Sequence, residues 1–210
     1  MQLGGFVKQS LIDYPGKVAS VLFTRGCNFR CGYCHNPALV LPHRYHQLES
    51  VDPDSVWEYL WARKGWIDGV VVTGGEPTLH SDLPDWLARI KKMDYLVKLD
   101  TNGSDPYMLQ EVIERGLVDY VAMDVKNVLT VKDYCQTTGI PENQRLIDNI
   151  IASMLVLKNA PVTVEFRTTA APNIDTPQIL QLITHMMGKN MTYNINKFKD
   201  GNTLDKDPNR

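Results

Sequence analysis

The sequence predicts an α/β protein on a parallel sheet, most simply a partial (β/α)6 barrel. Six apolar runs rich in β-branched residues alternate with stretches of helical spacing, the signature of strands joined by crossover helices. The chain has 210 residues, short of the roughly 250 that a complete eight-fold barrel needs.

Strands are expected at 18–24, 69–73, 95–101, 120–126, 162–168 and, more weakly, 193–198. Between them, Asp52-Pro53 and Asp105-Pro106 each place a capping carboxylate before a proline at the first helical position, where its missing N–H costs nothing. Leu83, Trp86, Leu87 and Ile90 recur at i, i+3, i+4, i+7 behind Ser81, which is the expected cap. Gly116 stands where a helix should stop, and Ile147, Ile150, Ile151 and Met154 repeat the helical spacing. Residues 127–142 read as an irregular stretch. Residues 199–210 read as a polar, loose tail, and 1–210 as one domain without linker or internal repeat.

The composition is 43% hydrophobic and 22% charged, ordinary for a globular chain. A formal net charge of -2 gives no broad surface for nucleic acid or an anionic membrane. No apolar run approaches the roughly 18 residues of a membrane helix, and the first residues lack the apolar core of a signal peptide. A cytoplasmic location is expected, where clustered thiols bind metal or do chemistry more often than they form disulfides.

Three of the four cysteines, Cys27, Cys31 and Cys34, lie together in the loop after the first predicted strand. Zinc could be closed by these thiols and His35, although adjacent Cys34 and His35 suit tetrahedral closure poorly. Cys31-Gly-Tyr-Cys34-His35 matches the string that attaches haem, but leaves Cys27 without a role. An iron–sulfur cluster usually takes four thiolates; Cys135 is remote and reads better as a small buried hydrophobe. With three ligands, a four-iron cluster keeps one iron open, the mark of a catalytic centre. Polar residues also end the next predicted strands: Gly74-Gly75-Glu76-Pro77, Asp100-Thr101-Asn102, Asp124 with Lys126, and Arg167. Each alone has a bland reading as a turn or a solvated charge. Together, at the functional end of a parallel sheet, they outline one site. His43, His46, His80 and His185 belong to no such pattern.

Cys27-x3-Cys31-x2-Cys34, with the aromatic Tyr33 before the last cysteine and GGEP after the next strand, resembles the radical S-adenosylmethionine superfamily. Within it, "IDYPGKVASVLFTRGCNFRCGYCHNP", "VVTGGEPTL", "KLDTNG", "VAMDVK" and "EFRTT" look like the glycyl-radical-enzyme activases, and most like the anaerobic ribonucleoside-triphosphate reductase activating proteins. The resemblance runs from about residue 5 to residue 200. It implies that Cys27, Cys31 and Cys34 ligate three irons of one [4Fe–4S] cluster, the fourth iron taking the amino and carboxylate groups of S-adenosylmethionine. It implies that Gly74 and Gly75 approach that amino-acid part and offer it hydrogen-bonding groups, with Glu76 holding its ammonium or shaping the turn. Tyr33 and His35 would lie under the adenosine. Asp100, Thr101 and Asn102 would line the ribose or a monovalent cation, Lys126 beside Asp124 would meet the cofactor carboxylate, and Arg167 would serve the cofactor or peptide side.

The implied reaction is reductive cleavage of S-adenosylmethionine to a 5′-deoxyadenosyl radical, which abstracts hydrogen from a glycine of a partner glycyl-radical enzyme. That partner would be anaerobic ribonucleotide reductase or a pyruvate formate-lyase relative, with flavodoxin or ferredoxin as electron donor. Two rivals stand beside this: a radical enzyme acting on a small metabolite, as the 7-carboxy-7-deazaguanine synthases do, and a non-catalytic zinc-binding module.

Overall fold

β-branched runs buried on both faces become parallel strands, and the amphipathic stretches pack outside them as helices. The computed structural model describes residues 1–186 and 191–207. Its elements are β1 (Leu3–Ser10), β2 (Ala19–Thr24), α1 (Pro37–Val40), α2 (Pro53–Ala62), β3 (Gly69–Gly74), α3 (Leu83–Lys91) and β4 (Leu96–Thr101). They continue as α4 (Pro106–Glu114), β5 (Tyr120–Asp124), α5 (Val131–Thr138), α6 (Gln144–Lys158), β6 (Thr163–Ala170), α7 (Thr176–Met186) and β7 (Met191–Lys197). One seven-stranded sheet runs in chain order from β1 to β7. The strands from β2 to β7 are parallel, as a partial barrel requires, and β1 is added antiparallel at the β2 edge.

Three expectations need correction. β1 was not foreseen; its exposed second half, burial falling away after Gly4, carries too little alternation to announce a strand. Residues 127–142 are not irregular throughout, since α5 occupies their middle. Thr130 caps it by accepting the Asp133 N–H at 3.1 Å, and Gly139 ends it at φ +66°. The tail is not loose at 203–207, where Leu204 is fully buried and Asp207 nearly so; residues 208–210 lie outside the described residues. A smaller change concerns α3, which starts from Asp82 rather than Ser81.

Helix spacing decides what is buried. Leu83, Leu87 and Ile90 are fully buried, while Trp86 meets Trp57 with ring centroids 4.6 Å apart. Ile147, Ile150 and Met154 face the core from α6, and Ile151 points outward. The inner face of the curved sheet is layered. Tyr14, Val21, Val71, Tyr120 and Ala122 form an apolar floor at the N-terminal end. The same face carries polar side chains: Lys98 lies level with Val71 and Tyr120, Asp100 and Glu165 level with Ala122, and Asp124 and Arg167 two residues further along their strands. Period-two alternation puts all of them on the face of the floor, with Asp124 and Arg167 nearest the strand C-termini.

Candidate functional site

Segments leaving β2, β3, β4, β5 and β6 enclose a cavity of about 260 Å³ at the C-terminal end of the sheet. Every site residue expected from the sequence lines it: Cys27, Cys31, Tyr33, Cys34, His35, Gly74, Gly75, Glu76, Asp100, Thr101, Asn102, Asp124, Lys126 and Arg167.

The three thiols come from one loop held from several sides. The Arg30 guanidinium donates to the carbonyls of Cys27 and Phe29 at 2.7 and 2.8 Å. The Arg30 N–H donates to the Thr138 carbonyl of α5 at 2.6 Å, and the Cys34 N–H to the Cys31 carbonyl at 3.0 Å. Burial pushes the Cys27 thiol up to about 12 and Cys31 to about 11; Cys34 is raised as well. Deprotonating three thiols there requires concentrated positive charge, which a metal centre supplies. Among the described residues no three His, Cys, Asp or Glu side chains are placed to hold a single metal ion. His35, the fourth ligand of the zinc reading, is exposed and faces Phe198, ring centroids 6.2 Å apart. Cys135 is buried in the core from α5 and does not line the cavity.

Beneath the thiols runs an alternating chain of charge. Lys98 pairs with Asp100 at 2.5 Å, and Asp100 with Arg167 at 3.3 Å. Arg167 then meets Asp124 at 2.8 Å and Asp124 meets Lys126 at 3.0 Å. Glu165, buried on the same face, adds a third carboxylate near Arg167, so three cations are matched by three acids. Burial opposes ionisation of Asp124, yet the neighbouring Arg167 and Lys126 hold it well below the usual carboxylate range. Burial likewise disfavours the Lys126 ammonium, but Asp124 keeps it charged far above neutral pH. Asp100 is therefore not an open cation site: each of its oxygens already faces one of the chain's own cations.

Glu76 is nearly inaccessible, and four donors converge on it. The Thr78 N–H and hydroxyl reach Oε1 at 3.1 and 2.6 Å, the Thr101 hydroxyl reaches it at 2.7 Å, and the Asn102 N–H reaches Oε2 at 2.7 Å. Its carboxylate shapes the turn and ties β3 to β4. Thr101 and Asn102 are committed to the same knot. The Asn102 amide also bridges Asn28 at 2.9 Å and accepts the Ser104 N–H at 2.9 Å. The two glycines serve close backbone approach as well. A Cβ on Gly75 would lie 1.9 Å from the Gly26 carbonyl oxygen, and one on Gly74, at φ +120°, 2.3 Å from the Thr24 nitrogen. The Gly75 N–H already donates to the Thr24 carbonyl at 2.9 Å. Side-chain-free backbone is thus required here by the cysteine loop lying against β3.

The Tyr33 hydroxyl is buried without a hydrogen-bond partner, although buried polar groups are normally paired. It lines the cavity, so a polar ligand atom there would relieve it. Sequence reasoning missed Lys98, Asn28 and Tyr134. Tyr134, fully buried in α5, accepts the Lys126 N–H at 3.4 Å and lies edge-on to Phe29. Thr130-x-x-Asp133 followed by Gly139 was the available sign of its helix.

These features define an α/β barrel-type enzyme with its reaction chamber at the strand C-termini, three thiols at the rim and charge below. The chain belongs to the Radical SAM superfamily, whose family model matches residues 21–152. Membership brings a [4Fe–4S] cluster and S-adenosylmethionine as cofactors, and the thiols, the Lys126 ammonium at the cavity wall and the unpaired Tyr33 hydroxyl fit them. The chain is 35% identical over 208 residues to "Putative glycyl-radical enzyme activating enzyme MJ1227" of Methanocaldococcus jannaschii, covering 98% of this chain and 83% of that one. It is 26% identical to the pyruvate formate-lyase-activating enzyme of Clostridium pasteurianum, covering 94% of this chain and 89% of the relative. The fold matches Streptococcus suis SuiB, in a crystal structure bound to S-adenosylmethionine, with TM-score 0.63 at 16% identity. That match covers 89% of this chain and 44% of SuiB, so the chain spans less than half of that structure.

Proposed function

We propose that the chain activates a glycyl-radical enzyme. Cys27, Cys31 and Cys34 ligate three irons of the cluster, leaving the fourth for S-adenosylmethionine. The bound cofactors supply reductive cleavage of S-adenosylmethionine and hydrogen abstraction from a glycine Cα of the partner, the electron coming from a reduced flavodoxin or ferredoxin. Lys126 binds the methionine carboxylate, its charge held by Asp124 and its position by Tyr134 under its backbone. Arg167 locks both carboxylates of the charge chain. Tyr33 packs under the adenosine and gives its hydroxyl a partner there, with His35 at the exposed edge. The Glu76 knot keeps β3 and β4 in register with the thiol loop and excludes water from behind it. No side chain is asked to act as a general base.

The observation that carries this reading is the meeting, in one cavity, of three thiols with Lys126 and Arg167 and the carboxylates that hold them in place. Similarity to an activating enzyme over nearly the whole chain supports a glycyl-radical enzyme as the partner, with anaerobic ribonucleotide reductase or a pyruvate formate-lyase relative as the candidates. The test is anoxic incubation of the iron- and sulfide-loaded protein with such an enzyme, a reductant and S-adenosylmethionine. The expected result is the electron paramagnetic resonance doublet of a glycyl radical. No doublet, together with turnover of a small heterocyclic substrate, overturns the assignment.

A further inference from the structure

Residues 203–207 return across the whole width of the sheet to the cysteine loop. The Leu204 N–H donates to the Cys34 carbonyl at 3.0 Å, and the Asp205 N–H to the Gly32 carbonyl at 2.9 Å. Both peptides flanking the Tyr33–Cys34 step are thereby held from outside. Asp205 lies so close over Gly32 that a Cβ at position 32 would fall on its carboxylate. The Leu204 side chain is fully buried with Val40 and Leu41 in a small apolar cluster, against which Cys27 and Cys34 pack. The return is fastened at its far end by Asp207, 4% exposed, which forms an ion pair with Arg44 and accepts from His43 at 3.3 Å. Arg44 and His43 lie in the 3-10 turn Pro42–Gln47, directly after the α1 segment that supplies Val40.

We infer that 203–207 is a strap of the metal centre, with Leu204 and Asp207 as positioning residues that hold Cys34 in its ligating geometry and keep water from the thiols. The thiol loop leaves β2 with few regular backbone bonds of its own, and its Cys34 side has the strap as its outer support. Groups that orient a ligand without touching the metal commonly change metal retention by 10–100-fold. A closed apolar cluster beside the sulfurs also limits the entry of water and of competing chelators. The inference rests on cluster ligation by Cys27, Cys31 and Cys34, and not on the identity of the partner.

The test compares the full chain, loaded with iron and sulfide under anoxic conditions, with Asp207→Ala, Leu204→Ala and, as control, Lys206→Ala. Lys206 sits in the same segment, and its ammonium pairs with exposed Asp200. The readouts are the rate of iron release into an excess of a ferrous chelator and the melting temperature of the metal-free chain. Iron release faster by about tenfold or more in Asp207→Ala and Leu204→Ala is expected, with Lys206→Ala at the parent rate. The melting temperatures of the metal-free chains should fall too, because both side chains are buried, so a core variant remote from the thiols, Ile183→Ala, sets the release that lost stability alone produces. Asp207→Glu, which keeps the charge, should recover part of the retention. Parent-like release from both strap variants overturns the strap, as does release no faster than that of Ile183→Ala. A parent chain that takes up no iron overturns the cluster reading and the strap together, whereas a missing glycyl doublet with iron retained leaves the strap standing.

Discussion

Single residues at the site act through charge more than through shape. Asp124 ties Arg167 and Lys126 together, and its carboxyl is held below the ordinary value near pH 3.9. A carboxylate depressed in the folded state stabilises fully above its unfolded value, and that contribution is lost as pH falls through the folded value. Asp124→Asn should therefore be less stable than the parent at pH 7, by about 1.5–3 kcal/mol for lost charged hydrogen bonds. The gap should narrow below about pH 4, as urea midpoints across that range would reveal; a gap constant with pH would contradict the assignment. Glu76 shows how a residue can be placed correctly by sequence and still be open in role. Its position after β3 was legible in GGEP, but not the four donors around it, because three of them come from Thr78 and Asn102 backbones and a β4 hydroxyl.

Among the elements, helix starts were the most legible. Asp52 accepts the Asp54 and Ser55 N–H groups at 3.2 and 3.1 Å, and Asp105 accepts those of Tyr107 and Met108 at 3.1 and 3.0 Å, as aspartate-proline pairs lead one to expect. α5 was missed because its polar face hides a short apolar stripe, Tyr134, Cys135 and Thr138, that only tertiary burial makes visible. It matters to the site, since its Thr138 carbonyl takes the Arg30 N–H and its Tyr134 lies under Lys126. Thr130→Val removes its cap and should cost about 1 kcal/mol in chemical denaturation. No loss of stability would mean that packing alone holds the helix.

At the scale of the molecule, the parallel sheet and the gathering of ligand-type residues at its C-terminal end were readable, because strand order follows chain order and each site residue lies at a strand end. The strap was not readable. Leu204 is one apolar side chain in a polar segment, and its burial depends on Val40 and Leu41 far away in sequence. Loading with iron and sulfide should raise the melting temperature of the whole chain, since ligands that bind only the folded state stabilise it. Differential scanning calorimetry before and after chelation would check this; identical transitions would mean that the thiols hold no metal in the folded protein.

The sequential order of the sheet has a consequence for biosynthesis. Cys27, Cys31 and Cys34 leave the ribosome before Lys126, Arg167 and the residues that cover the thiols. Nascent sulfurs thus stay unsheltered while the rest of the sheet is made, and iron can be enclosed in its finished housing only once residue 207 has emerged.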